Sequence, residues 1–332
     1  MEIYAKAARL FIAAALALAA AQMLGFHNPY WAAMPVWVVS QPIREDLLAR
    51  GILRILGTLV GAGIGLLGLQ YLNAPVPLAL LAGVTVAFGV GMAYRIGTTY
   101  SYGFTLIAIT IGVILLPAIG MGADGVSMAI ERLWCTLLGV ISVTLVTLAS
   151  TPARSGPMPP RAVPFERQQL IRRVLISGGC AALGTLAVAL THEVVVMAGA
   201  MALIIYATIF STLPEPRAVI RMVAPGAALG LAAAVLYRWI GFELHESRDA
   251  MLWLAMAFIA CGALLRAHPR TTGLGLDSNM CFLLGAEVGT AGHPLHVTIF
   301  SGAALLTGAI VISVIMWYAT APATPKGPSP SA

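Results

Sequence analysis

The stretch ILRILGTLVGAGIGLLGLQYL, residues Ile52 to Leu72, holds one charge, Arg54, in 21 residues. As a helix rising 1.5 Å per residue it would measure about 31 Å, the thickness of a bilayer's hydrocarbon core. Comparable apolar stretches follow one another along the chain. They predict helices over about 8–26, 29–43, 52–72, 76–94, 98–117 and 130–150, then 171–191, 194–212, 218–238, 250–267, 271–290 and 297–319. The second differs from the rest: it is short and carries Tyr30, Trp31, Pro35 and Trp37, which fits a tilted, broken or re-entrant segment. The fold class that follows is an all-α polytopic membrane protein with about twelve transmembrane helices.

Composition points the same way. Hydrophobic residues make up 59% of the chain and charged ones 10%, at a mean hydropathy of +0.91, whereas a soluble domain carries about 25% charged residues. The net charge of +6 would indicate a nucleic-acid partner only if the basic side chains gathered on one soluble face; they are scattered singly between apolar segments, so no nucleic acid is expected. Cys135, Cys180, Cys261 and Cys281 all fall inside apolar segments without metal-ligand spacing. They read as reduced packing residues, and neither metal nor cofactor is expected. The first apolar stretch follows Lys6 and Arg9 as a signal peptide would, but Gln22 to Pro29 offers no small-x-small cleavage site, so it reads as the first spanning helix.

Basic residues report orientation, because cytoplasmic loops are enriched in them. With the N-terminus inside, 16 of the 19 Lys and Arg fall on cytoplasmic flanks, from Lys6 and Arg9 through Arg95 to Lys326; only Arg132, Arg238 and Arg248 fall outside. A helix missed early in the chain would switch every later loop and destroy this bias. Both termini are therefore expected in the cytoplasm. Residues 151–170, rich in Pro and carrying Arg154, Arg161 and Arg167, read as a cytoplasmic linker between a first module (1–150) and a second (171–320), with 321–332 a disordered tail.

The halves echo each other. A shift of about 165 residues lays Arg9 on Arg173, a slightly larger one lays Arg54 on Arg221, and Arg95, Thr98, Thr99 return as Arg270, Thr271, Thr272. Six helices per copy make the two copies parallel, related by an axis along the membrane normal. Within the first half, R-x-x-x-T-L-x-G occurs at Arg54, Thr58, Leu59, Gly61 and again at Arg132, Thr136, Leu137, Gly139, one entering from each side, a hint of inverted three-helix units.

Three stretches, NPYWAAMPVWVVSQP (Asn28 to Pro42), RILGTLVGAGIGL (Arg54 to Leu66) and ERLWCTLLG (Glu131 to Gly139), resemble in content, order and spacing the fusaric-acid resistance and aromatic-acid exporter family. The second half resembles it more loosely, as a diverged copy. The resemblance implies a proton-driven exporter of small, often aromatic, carboxylic acids in a bacterial inner membrane, working with lipid, the acid substrate, a periplasmic adaptor protein and further copies of the chain as partners. Related plant proteins act as organic-anion channels. Many members carry a large soluble domain between or after the membrane modules; here only the short linker stands.

Few residues are available for such chemistry. Asp277 lies about seven residues into the eleventh predicted helix, roughly 10 Å below the cytoplasmic surface, and a membrane-embedded carboxylate is a functional candidate for proton coupling or substrate contact, with Asn279 beside it in sequence. The structural alternative is a pair with Arg95 or Arg270. Arg54 and Arg132 open helices with small polar turns and are candidates, with Arg95, for anion binding, since arginine grips a carboxylate bidentately. Their alternatives are an ordinary positive-inside anchor for Arg54 and local pairing with Glu131 for Arg132. Thr98, Thr99, Tyr100, Ser101 and Tyr102 cluster hydroxyls at the fifth helix start, and with Trp31 they suit a ring-bearing acid, although Tyr and Trp also anchor helices at the interface. Gly57, Gly61 and Gly65 recur every four residues, a spacing for close helix packing; no Lys-Ser/Thr pair follows to make a phosphate loop. Glu287, His293 and His296 gather toward the outer face without a metal pattern. No reactive constellation marks an enzyme, which leaves a transporter, a passive organic-anion channel or a membrane assembly component.

Overall fold

The computed structural model describes residues 2–157, 165–244 and 247–320. Among these it holds twelve α-helices: α1 (Glu2–Met23), α2 (Tyr30–Val39), α3 (Arg44–Tyr71), α4 (Pro75–Ile96), α5 (Ser101–Met121), α6 (Gly125–Thr147), α7 (Arg167–Thr191), α8 (Val194–Thr212), α9 (Arg217–Leu244), α10 (Arg248–Ala267), α11 (Thr272–Ala286) and α12 (Leu295–Ala319). Ten are long and apolar enough to cross a membrane; α2 and α11 fall short. The outer surface is apolar as lipid requires, with Leu145, Leu175, Leu183 and Trp253 among its exposed side chains. This is a multi-pass membrane protein.

α3 begins eight residues before the expected segment, because helix Arg44–Arg50 projects its charged turns out of the apolar layer. α6 starts at Gly125, five residues before the expected segment, where the Asp124 carboxylate caps it by accepting from Val126 N and Ser127 N. The expected linker is shorter than 151–170, since α7 starts at Arg167; its residues 158–164, Arg161 among them, and the tail 321–332 with Lys326 lie outside the described residues.

Side chains sort the helix ends into two layers. In one, Arg44 N donates to Pro152 O, Arg154 pairs with Asp46 at 2.8 Å, Arg173 binds Ser211 O and Leu213 O, and Arg217 binds Trp317 O. In the other, Asn28 N donates to Glu131 at 2.6 Å, and Arg238 binds Ala291 O and His293 O. The short α2 connects the two layers, from Asn28 beside Glu131 to Arg44 beside Pro152. Its ten residues make about 15 Å of helix, and non-helical backbone makes up the remainder of the path. Its last carbonyls are taken up by arginines of two other helices, Trp37 O by Arg266 and Val38 O by Arg50.

Helix pairing has a period of six. α3 lies on α5 and α9 on α11; α2 on α6 and α8 on α12; α5 reaches α8 and α11 reaches α2; α4 docks on α7 and α10 on α1. Glycines fix the closest approaches. A Cβ on Gly57 or Gly61 would meet Gly103 O or Ile107 O of α5 at 2.6 and 2.8 Å, and one on Gly226 or Gly230 would meet Leu274 O or Ser278 O of α11. This pairing corrects the register read from sequence. α4 and α10 end alike on Arg95 and Arg266, and Tyr100 and Thr271 are the corresponding N-caps, so Arg95 corresponds to Arg266 rather than to Arg270. The R-T-T echo lies a turn out of step with the backbone.

Candidate functional site

The repeated R-x-x-x-T-L-x-G motif builds two similar settings. Arg54 stands about ten residues, or roughly 15 Å, into α3; it is buried, and its Nη1 donates to Tyr102 Oη at 2.7 Å. Arg132 stands about seven residues into α6 from the opposite layer, also buried, with its guanidinium carbon 3.6 Å above the Trp31 ring. Tyr102 and Trp31 are each the second residue of the helix packed against the arginine's own, α5 and α2. Thr58 and Thr136, one turn on, are buried, and Gly61 and Gly139 seat the partner helix: a Cβ on Gly139 would run into Ala32 O.

Neither guanidinium meets a carboxylate. Ion pairs among the described residues include Arg154–Asp46, His293–Glu287 and His27–Glu131. Glu131 faces Asn28 instead of Arg132, because its oxygens take the backbone N and side-chain amide at the turn before α2; the local Arg132–Glu131 pairing does not form. Arg54 is buried in the bundle, 4% exposed. The two cations lie close enough to act on each other electrostatically, so this interior carries uncompensated positive charge, for which an anion is the natural complement.

A cavity of about 290 Å³ lies on Trp31, in the layer that holds Asn28 and Glu287 and between helices of both halves. Its walls include Tyr30, Trp31, Pro117, Met121, Met128, Met197, Met201, Leu231, Leu284, Leu305, Thr298 and Ser301, with Glu287 and His293 as polar members. A narrow cleft lined by Asn28, Trp31, Met128, Glu131 and Arg132 adjoins it. Trp31 therefore stands between the cavity and the Arg132 guanidinium. His293 is held by Glu287 through its backbone N at 2.7 Å and its Nδ1 at 2.8 Å, His296 is exposed, and the described residues include no group of three or more metal-type ligands.

The family model for the "Fusaric acid resistance protein family" matches this chain twice, over residues 5–163 and 159–327. The chain belongs to this family. Among curated proteins it is 31% identical over 154 residues to the "p-hydroxybenzoic acid efflux pump subunit AaeB" of Pantoea ananatis, covering 41% of this chain and 23% of that protein. The chain thus spans less than a quarter of that relative's length in the match. No solved structure matches it.

The other residues singled out in this fusaric acid resistance family chain are dispersed. Asp277 is buried on α11, with Arg266 as its charged neighbour and the Tyr206 phenol as its polar one; neither Arg95 nor Arg270 pairs with it. Asn279 turns to another face of α11, where its Nδ2 donates to Gly275 O at 2.6 Å and its side chain fills the space over Gly262. Arg95 and Tyr100 are exposed at the arginine-rich end. Thr98 to Tyr100 form the turn before α5 rather than its first residues, and Thr99 donates to Asp46. Of that hydroxyl cluster, Tyr102 alone joins a buried arginine, with Arg50 also over its ring at 5.2 Å. Gly57, Gly61 and Gly65 all face α5. Sequence reasoning missed Arg266, Tyr206, Thr298 and Ser301. The last two carry a faint signal, two hydroxyls at i and i+3 in an otherwise apolar helix start.

Proposed function

We propose that this protein exports small organic carboxylic acids, ring-bearing ones foremost, across a bacterial inner membrane, using the proton gradient. The observation that carries this reading is the pair Arg54 and Arg132, two buried guanidiniums facing aromatic rings and free of carboxylate partners. Such a pair is costly in the membrane unless an anion visits it. A carboxylate can exchange places with the Trp31 ring on Arg132 and with the Tyr102 hydroxyl on Arg54, while the adjoining cavity takes the ring. Asp277, the buried carboxylate on α11, is the proposed proton-coupling group.

In this reading the chain crosses the bilayer twelve times with both termini inside, as two parallel six-helix modules, 1–150 and 171–320. The six-helix period of the packing and the twofold family match support it. The relative's name calls that protein a pump subunit, and a periplasmic adaptor and further copies of this chain are the proposed partners.

The test is a strain lacking the gene, challenged with aromatic and aliphatic acids and complemented with wild type or Asp277→Asn. Hypersensitivity to ring-bearing acids, cured by wild type alone, is expected. Sensitivity to no acid would count against export, and flux that follows the anion's own gradient, indifferent to Asp277→Asn, would indicate a passive channel.

A further inference from the structure

Thr298 and Ser301 sit one turn apart on α12, line the cavity on Trp31, and have buried hydroxyl oxygens without a hydrogen-bond partner. Thr298 is 7% exposed. A helical threonine away from water ordinarily returns its hydroxyl to the carbonyl four residues back, and Thr105, Thr147, Thr191, Thr307 and Thr320 do so here. Thr185, Thr208 and Ser313 also lack partners, but none of them lines this cavity. Two unmet hydroxyls set in the wall of one cavity, each of which a turn about χ1 would bring to the space, make a hydrogen-bonding site that a ligand can complete, because native interiors rarely leave such groups unmatched.

We propose that Thr298 and Ser301 determine specificity by receiving a hydrogen-bonding substituent on the ring of the carried acid. The inference rests on the export reading and adds the residues that choose among acids. Among the remaining walls Trp31, the methionines and the leucines suit a flat apolar ring, with Asn28, Tyr30 and the Glu287–His293 pair as polar members, and about 290 Å³ is room for one ring. Trp31 belongs both to this cavity and to the cleft that holds Arg132, so a ring seated here brings its carboxylate to the guanidinium where the Trp31 ring gives way, with its substituent toward α12. A hydroxyl side chain both donates and accepts, so a ring hydroxyl or amino group is preferred over a bare ring.

Calorimetric titration of the purified full chain in lipid nanodiscs with 4-hydroxybenzoate and with benzoate tests this. The double variant Thr298→Val, Ser301→Ala is expected to lose about tenfold in affinity for 4-hydroxybenzoate and less than about twofold for benzoate. Thr298→Ser restores the preference, and Thr307→Val on the same helix changes neither acid. Equal losses for both acids, or no loss for either, would overturn the assignment; if the double variant does not fold, the Thr298→Val single variant is read by the same criterion. Wild type that binds neither acid while still protecting the strain overturns this site and leaves export standing; absence of both binding and protection overturns both.

Discussion

Arg132 and Trp31 form the contact on which the site depends. At 3.6 Å the guanidinium is in stacking distance of the indole, and in a dry setting such a cation–π contact is worth about 2 kcal/mol. Lysine keeps the charge but lacks the flat, bidentate face. Arg132→Lys is therefore expected to slow acid efflux from preloaded cells by about tenfold or more, and Trp31→Phe to slow it less than Trp31→Leu does; efflux at the wild-type rate in Arg132→Lys would show that the planar face is not used. Tyr102→Phe removes a hydrogen bond to a charged group, about 1.5–3 kcal/mol, so it should mimic a mild Arg54 defect in the same assay. Arg54 and Arg132 could be picked out of the sequence by their shared motif, and Tyr102 and Trp31 as candidate ring contacts, but not their pairing, because the two aromatic residues lie far from the arginines along the chain and meet them only through helix packing.

At the scale of elements, small residues set the close contacts. Gly139→Val would drive a side chain into Ala32 O and the Pro35 ring, while Gly63→Ala meets open space. The first should abolish a monodisperse peak in size-exclusion chromatography and the second should leave it unchanged. The cap of α6 gives a pH prediction. The Ser127 hydroxyl and backbone N, with Val126 N, hold the Asp124 carboxyl below the ordinary carboxylate range, so the cap stabilises above the unfolded value near 3.9 and weakens as pH falls through the lowered one. The melting difference between wild type and Asp124→Ala should be full at pH 7 and shrink below about pH 4. Most helices were legible as apolar runs of membrane length. Their ends were not, since Arg44 to Arg50 is helical but charged, and hydropathy ends where the lipid does. The repeat register was misread because R-T-T is a short match beside a turn, where the paired helix ends, Arg95 with Arg266, decide the alignment. The cavity was illegible altogether: its methionines and leucines look like any lipid-facing or packed residue until both halves are assembled around them.

For the whole molecule, the twofold family match and the six-helix period make one prediction about topology. Fluorescent-protein fusions ending near residue 155 should glow in the cytoplasm, and alkaline phosphatase fusions ending near 123 or 193 should be active outside; the reverse at any of them would break the twelve-crossing map. Within that frame the central claim is that the two buried arginines carry a carboxylate through the membrane. The most direct measurement is uptake of labelled 4-hydroxybenzoate into inside-out vesicles under an imposed proton gradient, alongside 4-hydroxybenzyl alcohol, which keeps the ring and lacks the acid. The account predicts gradient-dependent uptake of the acid alone, reduced about tenfold or more by Arg54→Gln and by Arg132→Gln; wild-type uptake in both variants would contradict it.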